Sequence, residues 1–295
     1  MAVKIYTKQY AGMLPDVFAK KQHFLRTFGG TVQVVDGITN KENFMDLKVS
    51  DTDVVIQKYS TDANVGFGTG TGKSSRFGER KEIKSIDEQV KYDEPLTIHE
   101  GIDDVTVNDN ADQVISERAG LHAEAWVEEF NGIMGKALSD NASETLEGEL
   151  TEKSITKVFA EAHKKFVNNK VSKDITWIAY CNADVYDFLV DNKLATSSKN
   201  SSANIDNQEI RKFKGFVLEE LADDYFEEGE QVYFAADNIG VVGLGIQVYR
   251  LMDAEDFAGV LIQSLAKPAK YIPEKNKKAV LKAKLTEAKV EEESL

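Results

Sequence analysis

The chain has 295 residues, 42% hydrophobic and 29% charged, with a formal net charge of −14. That is enough chain for one large or two modest domains around a real core, and the acidic balance argues against wrapping nucleic acid with the whole surface. One cysteine, Cys181, excludes a disulfide framework and a cysteine-rich metal site, and the absence of any run of 18 apolar residues or of a signal-type apolar core in MAVKIYTKQYAGMLPDVF predicts a soluble protein made in the cytosol.

In chain order, Leu14, Val17, Phe18, Phe24, Leu25 and Phe28 fall at helical spacing before Gly29-Gly30, which predicts a short amphipathic helix over 13–28 on an extended arm. Residues 44–60 read as strand, with Leu47/Val49 and Val54/Ile56 alternating. Residues 61–80 lose apolar periodicity, and alternation returns as Val90/Tyr92, Leu96/Ile98 and Val105/Val107. The glycines between, Gly66, Gly68, Gly70, Gly72 and Gly78, then read as the pliable tip of a long two-stranded ribbon. From NDNADQVISERAG onward, Val114, Ile115, Trp126, Phe130, Ile133, Met134, Ala137 and Leu138 share one face of a helix of about 30 residues, about 45 Å long. Asn108 or Asn110 is placed to cap it, and Gly120 and Gly132 are weak points along it.

A second helix is predicted from Glu152 to Val167, burying Ile155, Val158, Phe159, Ala162 and Phe166. DITWIAYC reads as a buried strand, and Asn182 as the cap of a short helix over ADVYDFLVDN. A polar loop covers 192–208, and GFVLEEL, QVYFAAD, IGVVGLGIQVYRL and FAGVLIQSLA are further strands before a lysine-rich end and a frayed tail. This order is neither a regular βαβ alternation nor all-β; it predicts an α+β fold. Charge is uneven along it: residues 100–152 hold fourteen Asp/Glu against two Lys/Arg, and 266–284 hold seven lysines against one glutamate. Basic ends and an acidic middle predict a protein that contacts copies of itself.

The search for catalytic chemistry returns nothing. GFGTGTGKSSRFGERKE, residues 66–82, imitates a phosphate-binding loop, but the first glycine of a Walker motif belongs at 67, where Phe67 stands, and no helix follows. A dinucleotide fingerprint would need a third glycine where Thr71 stands. His23, His99, His122 and His163 have no zinc-helix spacing, no G-x-S-x-G occurs, Cys181 ends an apolar strand as a buried inert thiol, and DDVTVNDNAD lacks the order of a calcium loop. The acidic run EELADDYFEEGE, 219–230, reads as a solvated loop, and Trp126 and Trp177 as core rather than a base-stacking platform. No catalytic, cofactor or metal residue is therefore assigned.

The order of elements and the residues that fill them resemble a tailed-bacteriophage major capsid protein of the Hong Kong 97 fold. VKYDEPLTIHEGIDDVTVNDN resembles the returning strand of that family's extended loop and the lead into its spine helix; 110–139 resembles the spine helix. ITWIAYCNADVYDFLVDN and DDYFEEGEQVYFAADNIGVVGL resemble axial-domain segments, and FAGVLIQSLAKPAKYI the last peripheral strand. The resemblance implies an N-terminal arm (1–43), an extended β-ribbon loop (44–98), a peripheral domain with the spine helix (99–172, resumed at 257–285), an axial domain (173–256) and a flexible tail (286–295). It implies a virion protein without enzymatic activity or cofactor, assembled in the host cytoplasm through hexamers and pentamers into an icosahedral shell around double-stranded DNA. Portal and scaffolding proteins are implied partners; the sequence leaves no room before the spine for a scaffold-like segment, which predicts a separate scaffolding protein or none, and no membrane is involved. Encapsulin compartments resemble the same fold, and a nucleotide hydrolase is the remote alternative. On this reading the candidate inter-subunit contacts are Gly66, Gly68, Gly70, Gly72, Lys73, Arg76, Arg80 and Lys81.

Overall fold

The computed structural model describes residues 22–34, 42–50, 54–62, 65–66, 75–80, 82–83, 85–107, 111–192, 196–197 and 211–286. In chain order the elements are β1 (Gln33–Val34), β2 (Asn43–Ser50), β3 (Ser85–Lys91), β4 (Leu96–Asp103), α1 (Asp104–Val107), α2 (Ala111–Asp140), β5 (Thr145–Glu149), α3 (Glu152–Asn168), β6 (Trp177–Asn182) and α4 (Ala183–Asp191). There follow β7 (Thr196–Ser197), β8 (Arg211–Phe213), β9 (Phe216–Leu221), β10 (Val232–Ala236), β11 (Val241–Asp253), β12 (Gly259–Tyr271) and β13 (Leu281–Thr286). Residues 41–91 form one compact unit, and 1–40 with 92–295 the other.

The larger unit is α+β, with two sheets. A seven-stranded sheet runs β5-β13-β10-β6-β9-β8-β7, and a four-stranded one runs β1-β11-β12-β4. Every residue of β6 and β10 is buried, as central strands covered on both faces require. Strand β6 runs parallel to β9, so the chain must cross over; α4 begins that crossover, capped by the Asn182 side chain accepting from the Val185 amide at 3.1 Å. Helix α3 covers the sheet. Thr151 caps it, and Ile155, Val158, Phe159, Ala162 and Phe166 are its buried face, as the helical spacing predicts. Phe159 meets Phe213 and Phe234 edge-on at ring-centroid distances of 5.0 and 4.9 Å, the geometry the ring quadrupole favours.

Helix α2 spans the predicted 30 residues. Its C-terminal half is sealed into the main core through Phe130, Met134, Ala137 and Leu138, none more than 1% exposed. Gly135 is there because of a close approach: a Cβ would run into the Tyr225 carbonyl oxygen. The helix end is tied down by Lys282, which bonds the Ser139 hydroxyl at 3.0 Å and the Glu230 carboxylate at 2.6 Å. Glu230 is buried; burial opposes its ionisation, but the bonds from Lys282, Ser139 and Tyr233 outweigh that and hold its carboxyl below the usual range.

Three expectations fail. The helix over 13–28 is absent in its described part, and its first residues lie outside the described ones. Residues 24–30 make a tight turn instead, with Thr27 and Phe28 amides donating to the carbonyls of Phe24 and Leu25 at 3.0 Å. Consecutive side chains all find tertiary partners: Phe24, Leu25, Thr27 and Phe28 are buried, Arg26 makes a two-pronged pair with Asp237 at 2.8 and 3.0 Å, and the Thr27 and Tyr180 hydroxyls lie 2.7 Å apart. A helix would bury one stripe, whereas here four of five consecutive residues are buried and the fifth, Arg26, is paired. Second, the strand predicted through Val107 divides: β3 ends at Lys91, β4 joins β12 in the other unit, and it ends at Asp103, whose carboxylate accepts from the Val105 amide at 3.0 Å and starts α1. Val105 lies 76% exposed.

Third, in the smaller unit β2 and β3 form an antiparallel pair from Asn43↔Lys91 to Ser50↔Ser85, but the strand expected to reach residue 60 stops at Ser50. Val54 and Ile56 belong to no regular element and are each 95% exposed. Their alternation signals a burial that the isolated subunit does not supply.

Candidate functional site

The residues singled out from the sequence lie on the smaller unit beyond the β2/β3 pair. Gly68, Gly70, Gly72, Lys73 and Lys81 fall outside the described residues. Gly66, Arg76 and Arg80 are described. Gly66 lies in a turn with φ +81°, and beside it the Val65 carbonyl accepts from Arg76 Nε at 2.9 Å. The Ser60 amide donates to the Arg76 carbonyl at 2.9 Å. Three residues away, the Gln57 side chain bridges the two legs: its Nε2 donates to the Glu79 carbonyl at 2.8 Å and its Oε1 accepts from the Glu79 amide at 2.9 Å. Gly78 is needed at this bridge, both for its φ of +81° and because a Cβ would collide with the Gln57 amide. Arg80 is exposed.

Apolar exposure is the feature sequence reading passed over. Val54 and Ile56 are 95% exposed, Phe77 79%, Ile83 78% and Tyr59 53%, and Tyr59 and Phe77 stack edge to face at 5.2 Å. Single exposed apolar residues are ordinary; here five lie on two legs joined by the Gln57 bridge. The alternation of Val54 and Ile56 carries that signal, although by itself it reads as a strand. The cations carry less than expected: among the described residues of 54–83, Lys58, Arg76 and Arg80 are matched in number by Asp62, Glu79 and Glu82.

The long-range charge pattern also resolves differently from its appearance in the sequence. Much of the C-terminal lysine run is used within the chain. Lys270 pairs with Asp93 at 2.9 Å, Lys277 pairs with Glu274, and Lys282 with Glu230. Glu124, Glu128 and Glu129 on α2 remain exposed, beside a Leu121 that is 49% exposed.

Chemistry-bearing groups sit in structural roles. Among the described residues no group of three or more His, Cys, Asp and Glu is arranged to hold a metal, and no helix is long and apolar enough to cross a membrane. Cys181 is fully buried, and burial pushes its thiol pKa up, away from reactivity. His163 packs its ring against Trp177 at 5.5 Å, and His99 accepts from the Gln263 amide at 3.2 Å on the face of the four-stranded sheet. His122 is buried on α2, with Nε2 2.8 Å from Glu100 of β4. The same carboxylate takes Arg118 Nε at 2.8 Å and a second bond from the Arg118 guanidinium. That paired guanidinium, with His122 helping and burial opposing, lowers the Glu100 pKa to about 2. This three-residue cluster joins elements 18 and 22 positions apart and was not anticipated, although Arg118 and His122 stand at helical i, i+4 spacing.

No protein-family model matches the sequence, and no curated protein matches it. Solved structures do. The capsid of the Cyanophage P-SCSP1u is similar with a TM-score of 0.64 at 10% identity, covering 90% of this chain and 89% of that one. The capsid of Ralstonia phage GP4 gives 0.61 at 11% identity, with 90% of each chain covered. A virus-like particle from Pyrococcus furiosus gives 0.51 at 12% identity, covering 95% of this chain and 99% of the other. The chain thus has the α+β fold of phage capsid proteins, of the Hong Kong 97 type, along nearly its whole length.

Proposed function

We propose that the chain is the major capsid protein of a tailed bacteriophage, a virion component that self-assembles through hexamers and pentamers into an icosahedral shell around double-stranded DNA. The observation that carries this is the pair of legs at 54–62 and 75–83, with Val54, Ile56, Phe77 and Ile83 each more than three-quarters exposed on a chain that has the capsid fold. Burying one such side chain is worth about 1.5–3 kcal/mol. Repeated around a ring, four per subunit provide an adhesive that is weak singly and strong collectively. In this reading α2 is the spine helix, and the bounds shift from those expected from the sequence: the loop is 43–91 rather than 44–98, β11 goes with the four-stranded sheet as peripheral domain rather than axial, and β5 and β13 go with the seven-stranded sheet as axial domain rather than peripheral. The subunit role calls on no catalytic site, and assembly takes place in the host cytoplasm, with portal and scaffolding proteins as partners.

The cations of the loop, Arg76 and Arg80 with Lys73 and Lys81, and the glycines Gly66, Gly68, Gly70 and Gly72 are proposed as its contacts with a neighbouring copy. Charge would steer register there more than add affinity. Electron microscopy of the purified chain tests the proposal: closed particles or ring-shaped capsomers are expected, and a chain that stays monomeric at high concentration would refute it. An encapsulin-like compartment would give closed particles too; packaging of DNA by a terminase and portal, as against capture of a cargo protein, separates the two.

A further inference from the structure

Helix α2 is held by two clusters of different quality. Its C-terminal half belongs to the main core and carries the Gly135 contact and the Ser139–Lys282 tie. Its N-terminal half rests on a separate small cluster: Ile102 of β4, Ile262 of β12 and Tyr249 of β11, with Val114 and Ile115 of the helix packed against them. Trp126 marks the junction, donating from Nε1 to the Ser264 hydroxyl at 3.1 Å. Gly120 lies within the N-terminal half, exposed, with nothing within 4 Å of the position a Cβ would take. The polar bonds described between this half and the sheet converge on one carboxylate, Glu100, bound by Arg118 and His122.

We infer that Glu100 is a carboxylate latch, and that the N-terminal half of the long helix detaches from the four-stranded sheet as a unit when the latch is neutralised, while the C-terminal half stays docked. The groups facing Glu100 are Arg118 and His122 from α2, the Tyr249 phenol from β11, and apolar Ile262 opposite it on β12. Neutralising Glu100 removes the carboxylate that binds the Arg118 guanidinium, whose side chain is 39% exposed. It also strips the charged acceptor from His122, whose Nδ1 already has no hydrogen-bond partner in its buried position. A buried imidazole so placed regains solvation by moving out to water, and a small cluster of three buried side chains opposes it weakly. Local openings of this kind are drawn from the least stable cooperative units of a fold. Glu100 is held ionised down to about pH 2; the latch is therefore closed at neutral pH and weakens as pH falls from the ordinary carboxylate value toward 2.

Hydrogen exchange read by mass spectrometry on the full chain tests this with Glu100→Gln, which keeps the shape and removes the charge. At neutral pH, exchange in 111–123 is expected to be about five- to tenfold faster in the variant than in the natural chain, with 130–140 and 152–168 unchanged. Glu144→Gln, which removes an exposed partner of Lys165, should leave 111–123 as it is. If Glu100→Gln does not fold, the natural chain alone decides: protection of 111–123, corrected for intrinsic exchange, must fall before that of 152–168 as pH drops from 6 to 2. Unchanged protection of 111–123 in Glu100→Gln, or loss of 111–140 as a single block in either experiment, would overturn the latch.

Discussion

Phe159 and Phe77 are the same side chain in opposite circumstances. Phe159, fully buried, meets Phe213 and Phe234 under the seven-stranded sheet, whereas Phe77 is 79% exposed and stacks on Tyr59 at the end of the smaller unit. One region uses its apolar residues to fold the chain; the other leaves them exposed. On the proposed function, the residues that add least to the stability of the chain are the ones available for assembly.

The largest expected effect breaks the first region. Phe159→Ala should destabilise the subunit by about 3–5 kcal/mol, because the aromatic cluster around it cannot collapse into the space left. Phe77→Ala, the same change at the loop, should change the unfolding free energy by no more than about 0.5 kcal/mol. Equal losses at the two positions in chemical denaturation would erase the comparison.

A smaller effect concerns how the larger unit is held. Glu100 has its pKa lowered in the fold, so its stabilising contribution is complete above the ordinary value of 4.5 and drains away as pH falls toward about 2. Denaturation of the natural chain and of Glu100→Gln should therefore differ by about 1–3 kcal/mol at pH 6. The gap should narrow below the ordinary value of 4.5 and close only as pH approaches about 2; a gap that stays constant with pH would mean that Glu100 acts by shape rather than charge. The least effect is electrostatic. Replacing Arg76 and Arg80 by Ala should reduce the dependence of particle yield on ionic strength while leaving yield at moderate salt within about twofold, since exposed charges are screened and worth little singly. A large loss of particles at moderate salt would move the weight of the interface from the apolar legs to the cations.

How much was legible in advance follows the same division. Helix α3 and the Asn182 cap could be read because one stripe, or one side chain, decides each. The turn at 24–30 could not: its apolar spacing is helical, and only Asp237, Tyr180 and the core around Phe24, more than 150 positions away, force it to turn. Val54 and Ile56 were legible as apolar and alternating, but alternation says that a face is to be covered, not by what. The candidate contacts were sought among glycines and cations because those are visible one at a time; the exposed apolar set appears only when burial is known. Glu100, Arg118 and His122 were individually ordinary, and nothing in a linear sequence brings β4 against α2.

The central claim is that the loop's apolar residues assemble the particle and do not fold the subunit. Sedimentation velocity of the natural chain beside the double variant Ile56→Asp/Phe77→Asp, at equal concentration and with the melting temperature of each recorded, tests it most directly. The expected result is large particles from the natural chain and a single-subunit species from the variant, with melting of the isolated subunit unchanged within a few degrees, as for surface substitutions generally. A variant that assembles as well as the natural chain, or one that fails because its subunit no longer folds, would contradict it.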